Sequence, residues 1–465
     1  MWGVDTLPAT AKFNLTGWPY RMLEYGLFDQ VEEEILARVH PMNGEEMPLR
    51  WCYFRYLSGD VRSGGSLPPF TLVINDGFAV IAHDLANARP ESPVTLEVIE
   101  SIISGQHSTK RITHGKCASV ESGAQLPRGA DAVFEFSKVT QRLESAVFTE
   151  SITPGLGISE QDSVIRPGAL VMRKGDYLTP ARVGILSALG LEKTPIIRPP
   201  VIGIVSTGNE LVPSDTEKLK AGQIRDANTH MLSAKLTEMR LPQMSLGVIP
   251  DSRNALVDEI GRVIRQVDGL IVTGGKVKGR KRFLEETVES YGELIISGVR
   301  MIPGGSFSFG IFEGKLVFAL PGSPPDALLT FDILVKPAIL KMMGARDYRQ
   351  PLRSGVLSGS LNVNCDRDSF IWARFEVGDD RTFRVIPLSE SSDVNLAETI
   401  RASCVIRLAP GRYRIMNGDQ VSFIATSPDR LLTPPMFTPE AGETGHPSIG
   451  LNFDVDEPSA TSDSE

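Results

Sequence analysis

A chain of 465 residues with 41% hydrophobic and 23% charged residues has the make-up of an ordinary folded protein, long enough for about three domains. Its four cysteines, Cys52, Cys117, Cys365 and Cys404, are widely spaced and its six histidines show no metal spacing, which argues against a disulfide framework or a zinc module and for buried free thiols. The net charge of −9 is concentrated in residues 428–465, where eight acidic residues stand against Arg430 alone, so the body is near neutral rather than basic.

The first residues, Met1-Trp2-Gly3-Val4-Asp5, have neither the basic nor the apolar region of a secretory signal, and no apolar run reaches membrane-span length. A cytoplasmic protein is expected. Residues 16–40 include a helical stretch, Phe28 to Val39, with apolar residues at helical spacing. Residues 88–151 read as β-rich, with Gly115, Gly123 and Gly129 as turn points. Residues 152–197 read as a short β segment and a helix from Pro180 to Leu189, ended by Gly190. A boundary falls near Arg198-Pro199-Pro200.

From there strands alternate with helices: Val201–Val205, a helix from about Thr229, Ser245–Val248, a helix from about Arg253, Gly269–Val272, a helix from about Arg282, Leu316–Leu320, and a helix from Pro324 to Met343. This is the doubly wound α/β pattern. Residues 346–427 return to short strands, as in a small barrel or sandwich. The rest of the chain, 428–465, is rich in Pro, Ser, Thr and Gly and reads as a disordered acidic tail.

Three strands of the α/β unit end in glycine turns: Ser206-Thr207-Gly208-Asn209-Glu210, Thr273-Gly274-Gly275 and Pro321-Gly322-Ser323. Ligands of such folds bind beyond the carboxyl ends of the strands, so the turns should share one edge. Each alone can be a tight strand-to-helix connection. Three together, with Asp226 in Ile224–Asn228 between them, point to an anion site. Ser323 reads as an N-cap before Pro324, with Asp326 at the capping-box position. The second turn continues as Lys276-Val277-Lys278-Gly279-Arg280-Lys281-Arg282, crowded with cations and without a carboxylate. That loop can attract phosphate but offers no anionic oxygen to a divalent metal. A nucleic-acid or nuclear-import patch is the weaker reading, since the surrounding body is not basic.

These runs, in order, resemble the molybdopterin molybdenumtransferase family, which includes bacterial MoeA and the E domain of gephyrin. The resemblance rests on Leu67-Pro68-Pro69-Phe70, Asp76-Gly77-Phe78-Ala79-Val80, Ser122-Gly123-Ala124, Pro127–Val133, Val205–Leu211, Gln223–Asn228, Val272–Gly275 and Phe318–Pro324. It implies a multidomain chain: an elongated dimerisation unit from residues 1–87 and 152–197, an inserted β-rich unit at 88–151, an α/β molybdopterin-binding-like unit at 198–345 and a β-barrel at 346–427. It also implies a homodimer with its site between the α/β unit of one protomer and the elongated and inserted parts of the other. Family members insert molybdate into adenylylated molybdopterin and release AMP.

The sequence departs from the family at the site. Arg282 stands at the family's Asp, Arg280 at its Glu and Val277 at its Ser in the second turn; Ile302 replaces a Lys, Val164 an Asp, and Ser323 an Asn. Ser122 replaces Thr, a mild change. Asp76, Ser122, Glu210 and Asp226 remain, with Gly208, Asn209, Gly274, Gly275, Arg280, Arg282, Pro321, Gly322 and Ser323 as candidate ligand contacts. Each remnant carboxylate also has a bland reading: Asp226 a cap, Glu210 an early helix residue, Asp76 a turn. An arginine cannot become a metal ligand by deprotonation. These departures lead to the expectation of a gephyrin-like, non-catalytic homodimeric scaffold without a cofactor, holding a peptide segment of a protein partner, such as a developmental-timing regulator. The alternative is a divergent molybdenumtransferase using Mg2+ and adenylylated molybdopterin.

Overall fold

The computed structural model describes residues 23–142, 144–274, 283–378, 381–389 and 394–426. Its centre is a seven-stranded sheet in the spatial order Leu23–Gly26, Gly292–Val299, Ser308–Phe312, Lys315–Leu320, Gly269–Gly274, Ile202–Thr207, Gln243–Ile249. The last four of these run parallel. Residues in register alternate between two faces. Ile204, Ile271 and Phe318 pack with Leu232 and Leu236 of the helix Asn228–Glu238, while Val205, Val272 and Ala319 pack with Leu256 and Ile260 of the helix Arg253–Val263. Burial on both faces is why these strands read as unbroken apolar runs.

The segment Leu23–Arg38 corrects the expected division of the chain. Its strand pairs in parallel with Gly292–Val299, and Val31 and Ile35 of the helix Phe28–Arg38 join the same core as Ile296 and Phe331. Helical periodicity showed that this helix has a buried face but not which unit covers it.

The expected helix from Pro324 to Met343 is present as Pro324–Thr330, a π-helical turn Phe331–Val335, and Lys336–Met342. Pro337 lacks an N–H to bond back along the helix, and the wider turn falls just before it.

Residues 44–73 and 158–197 are joined by three two-stranded ladders: Gly44–Pro48 with Lys193–Ile197, Val61–Arg62 with Leu170–Met172, and Leu72–Val73 with Ile158–Ser159. Between these segments lies a six-stranded sheet in the order Ala132–Glu135, Gly77–Val80, Lys116–Val120, Val94–Ile102, Ser145–Phe148, Val139–Arg142. Its strand Gly77–Val80 precedes residue 88, where the sequence starts the inserted unit. Phe78 on that strand meets Phe148 edge-on with ring centroids 6.0 Å apart, so its burial belongs to this sheet.

Toward the C-terminus, Leu352–Leu357, Phe383–Pro387, Asp368–Val377, Cys404–Leu408 and Gln420–Ala425 pair in a closed ring, a five-stranded barrel. Ile371 and Phe375 fill its interior, while Phe370 and Trp372, on the other face of the same strand, pack into the α/β core. Among the described residues, no helix is long and apolar enough to cross a membrane.

Candidate functional site

Strand register brings the glycine turns to one edge. Ser206 lies opposite Thr273 and Thr207 opposite Gly274, while Thr273 lies opposite Leu320, which leads into Pro321-Gly322-Ser323. The turns approach each other through backbone. Gly274 has φ +98°, and a Cβ there would meet the carbonyl oxygen of Thr207 at 2.0 Å; one on Gly322 would come within 3.4 Å of the Gly274 Cα. Glycine at 274 satisfies both the left-handed backbone and the close approach. Gly275, Val277, Arg280 and Arg282 lie outside the described residues.

Behind the edge is a buried hydroxyl network. The Ser206 hydroxyl donates to Asp226 Oδ1 at 3.0 Å and lies 2.9 Å from Thr229 Oγ1 and 3.1 Å from Thr273 Oγ1. Thr229 donates its backbone N–H to Asp226 Oδ1 at 3.2 Å and its hydroxyl to Oδ2. Asp226 is therefore a cap for the helix Asn228–Glu238 and the acceptor of two side-chain hydroxyls, and it is buried. The sequence reading missed Ser206, Thr229 and Thr273. For Ser206 and Thr273 the signal was present: polar residues at the ends of otherwise apolar strands, as in Val205-Ser206-Thr207 and Val272-Thr273.

Glu210 differs from Asp226. It is exposed, and it does not open a helix but precedes the short strand Leu211–Val212. Its carboxylate lies alongside Gly208, with Oε2 2.8 Å from the position a Cβ would take there. Asn209 accepts the Asp251 N–H at 3.2 Å and so ties the first turn to the neighbouring strand's end. Ser323 occupies the N-cap position, but its hydroxyl donates to Asp326 Oδ1 at 3.3 Å instead of accepting a backbone N–H.

Asp76 and Ser122 sit together on the six-stranded sheet. Asp76 Oδ1 accepts the Ser122 N–H at 2.7 Å, and the Ser122 hydroxyl donates to the Ile74 carbonyl at 2.6 Å. Asp76 is exposed. Val164 is exposed and borders a cavity of about 410 Å³ with Asp162 and Arg166. Ile302 lies in a short strand paired with Ser369 of the barrel.

Residues 28–190 match the family described as "MoeA N-terminal region (domain I and II)", and residues 203–341 match "Probable molybdopterin binding domain". The molybdopterin molybdenumtransferase of Bacillus subtilis is 32% identical over 61% of this chain and 67% of its own. This chain belongs to the molybdopterin molybdenumtransferase (MoeA) family. The molybdopterin molybdenumtransferase of Haemophilus influenzae is 26% identical over 85% of this chain and 97% of its own. A crystal structure of the molybdopterin biosynthesis MoeA protein from Pyrococcus horikoshii superposes with a TM-score of 0.74 at 28% identity, covering 87% of this chain and 99% of that one.

These relatives correct the functional expectation. The non-catalytic scaffold rested on a few substituted loop positions, and similarity over most of the chain to proteins named for a transferase activity favours the alternative. The peptide partner, the developmental-timing role and the loss of catalysis fall with it. Physically, the substitutions weighed most, Arg280 and Arg282, lie outside the described residues, while the described edge keeps its register, its glycines and an exposed carboxylate at Glu210.

Proposed function

We propose that this chain is a molybdopterin molybdenumtransferase of molybdenum cofactor biosynthesis, inserting molybdate into adenylylated molybdopterin with release of AMP. The observation that carries the reading is the register of Ser206/Thr207, Thr273/Gly274 and Leu320. It brings three strand ends and their turns to one sheet edge, where backbone can approach a phosphate without a side chain between.

The described residues fit a magnesium ion only in the manner usual for phosphate substrates, with one protein carboxylate and the rest of the shell from phosphate oxygens and water. Glu210 is the residue that would hold it, because Asp226 is committed to Thr229 and Ser206. When bound, the ion neutralises phosphate charge. The chain's own contribution is to hold the phosphates on the turns and keep the first turn in place through Asn209 and Asp251. Asp76 and Ser122 lie on another sheet of the chain. In a homodimer working in the cytoplasm, the Asp76–Ser122 turn of one protomer would face the sheet edge of the other.

The test is AMP release by the purified full chain from adenylylated molybdopterin with molybdate and magnesium. Molybdate-dependent release supports the reading. A folded protein that releases no AMP overturns it.

A further inference from the structure

Asn228 opens the helix Asn228–Glu238 at the same sheet edge, and its side chain is held in one orientation. Its Nδ2 donates to the carbonyl oxygen of Gly322 at 2.9 Å, which fixes the amide against the third glycine turn. The residue is only 5% exposed, yet among the described residues Oδ1 has no hydrogen-bond donor. Buried side-chain acceptors are normally satisfied, and leaving one unpaired is costly. The amide cannot rotate to relieve this without breaking the bond to Gly322. All the other polar side chains gathered behind the edge (Ser206, Asp226, Thr229 and Thr273) have partners. The unmatched acceptor therefore stands beside the turns that would take a phosphate. In a nucleotide, the hydroxyl groups nearest the phosphate are those of the ribose.

We infer that Asn228 is a specificity-determining residue whose Oδ1 accepts a hydrogen bond from a ribose hydroxyl of the adenylyl group. The inference rests on the proposed function and adds to it the part of the substrate that this residue reads. Asn228 thereby links two tasks: its Nδ2 sets the third turn, and its Oδ1 distinguishes a ribonucleotide from its deoxy analogues.

The test compares dissociation constants of AMP, 2′-deoxy-AMP, 3′-deoxy-AMP and purine riboside 5′-monophosphate, which lacks the exocyclic amine, on the wild-type full chain and on Asn228→Ala. One deoxy analogue should bind the wild type about tenfold more weakly than AMP, the size of one neutral hydrogen bond left unmade at a buried acceptor. Which analogue it is identifies the hydroxyl. In Asn228→Ala that ratio should fall to about one, whatever happens to the absolute affinities, and a merely structural role would weaken all four ligands alike. Equal binding of AMP and both deoxy analogues by the wild type overturns the inference even if the variant fails to fold. So does discrimination against the purine riboside alone, or a ratio unchanged in Asn228→Ala. If AMP does not bind the wild type at all, the proposed function itself is at fault, which separates that failure from this one.

Discussion

Asp226 offers the sharpest test of how the edge is built, because a carboxylate there can serve the fold or the ligand. The structure assigns it to the fold. Its two oxygens receive the Thr229 N–H, the Thr229 hydroxyl and the Ser206 hydroxyl, all buried. Asp226→Ala strands three donors. Each bond to a carboxylate contributes about 1.5–3 kcal/mol, but the three share one group and relax together, so roughly 3 kcal/mol is expected for the set. For a unit of this size that corresponds to a fall of about 6–12 °C in unfolding midpoint. Asp226→Asn keeps an acceptor for part of the network and should lose about half as much. Thermal unfolding would be paired with hydrogen exchange on a peptide spanning residues 226–238, whose amides should exchange faster in Asp226→Ala because the helix loses its cap. If Asp226→Ala unfolds and exchanges like the wild type while losing AMP release, the carboxylate acts on the ligand, and its assignment as a cap is wrong.

Other expectations follow from local geometry. Gly274→Ala forces a side chain into a left-handed backbone, at a cost of about 1–2 kcal/mol, and onto the Thr207 carbonyl, so it should lower both the midpoint and the AMP yield in the assays above. Gly184 lies inside the helix Pro180–Ala188 with open space where a Cβ would go, and Gly184→Ala should stabilise the chain by roughly 0.5–1 kcal/mol in urea unfolding. Burial alone would raise the Asp268 carboxyl, but the bidentate Arg198 guanidinium, with both contacts at 2.9 Å, and the Val201 N–H hold it below its usual value. A depressed folded value gives stability that is present above the ordinary carboxylate pKa of about 3.9 and is lost as pH falls through the folded value. The wild type should therefore exceed Asp268→Asn in urea midpoint at pH 7, with the gap closing below about pH 4. Burial pushes the Cys117 thiol up to about 12 and raises that of Cys404 as well, while Cys365 is part-exposed. A thiol reagent at pH 8 should label Cys365 in the native chain and all four cysteines only after denaturation.

How far the sequence reached depended on whether the information was local. The parallel strands were legible because burial on two faces leaves runs such as Leu270-Ile271-Val272, and the turns were legible because glycine follows each run. Their common edge followed from a general rule of α/β sheets, and the register makes it specific. The sequence could not show that Leu23–Arg38 joins that sheet, because an amphipathic helix does not name its partner. Nor could it show that Ser206 also bonds to Asp226: the cap on Thr229 is a contact three residues long and was open to a sequence reading, whereas Ser206 lies 20 residues earlier and only the fold brings it in. Asn228 stood in plain view within Ile224–Asn228, but its importance comes from a contact with Gly322 across the sheet edge.

The same distinction explains why the charge reversals misled. Counting substitutions treats each family carboxylate as an independent requirement of the reaction. An anionic reaction needs positive charge opposite its phosphates, and that charge can come from a carboxylate-held cation or from guanidinium groups that pair with phosphate bidentately. By sequence, Arg280 and Arg282 bring the second kind to a loop where the family has the first. Exchanging one for the other would, under the proposed function, alter how much of the counter-charge depends on metal without removing the backbone edge on which the phosphates would rest. Under the proposed function, Glu210 then carries more of the burden of any bound ion than it would beside two further carboxylates. Glu210→Gln should therefore raise the magnesium concentration needed for half-maximal AMP release several-fold while leaving the unfolding midpoint nearly unchanged, since the side chain is exposed. A midpoint that falls with the magnesium response unaltered would place Glu210 among the structural residues and leave the metal without a described protein ligand at this edge.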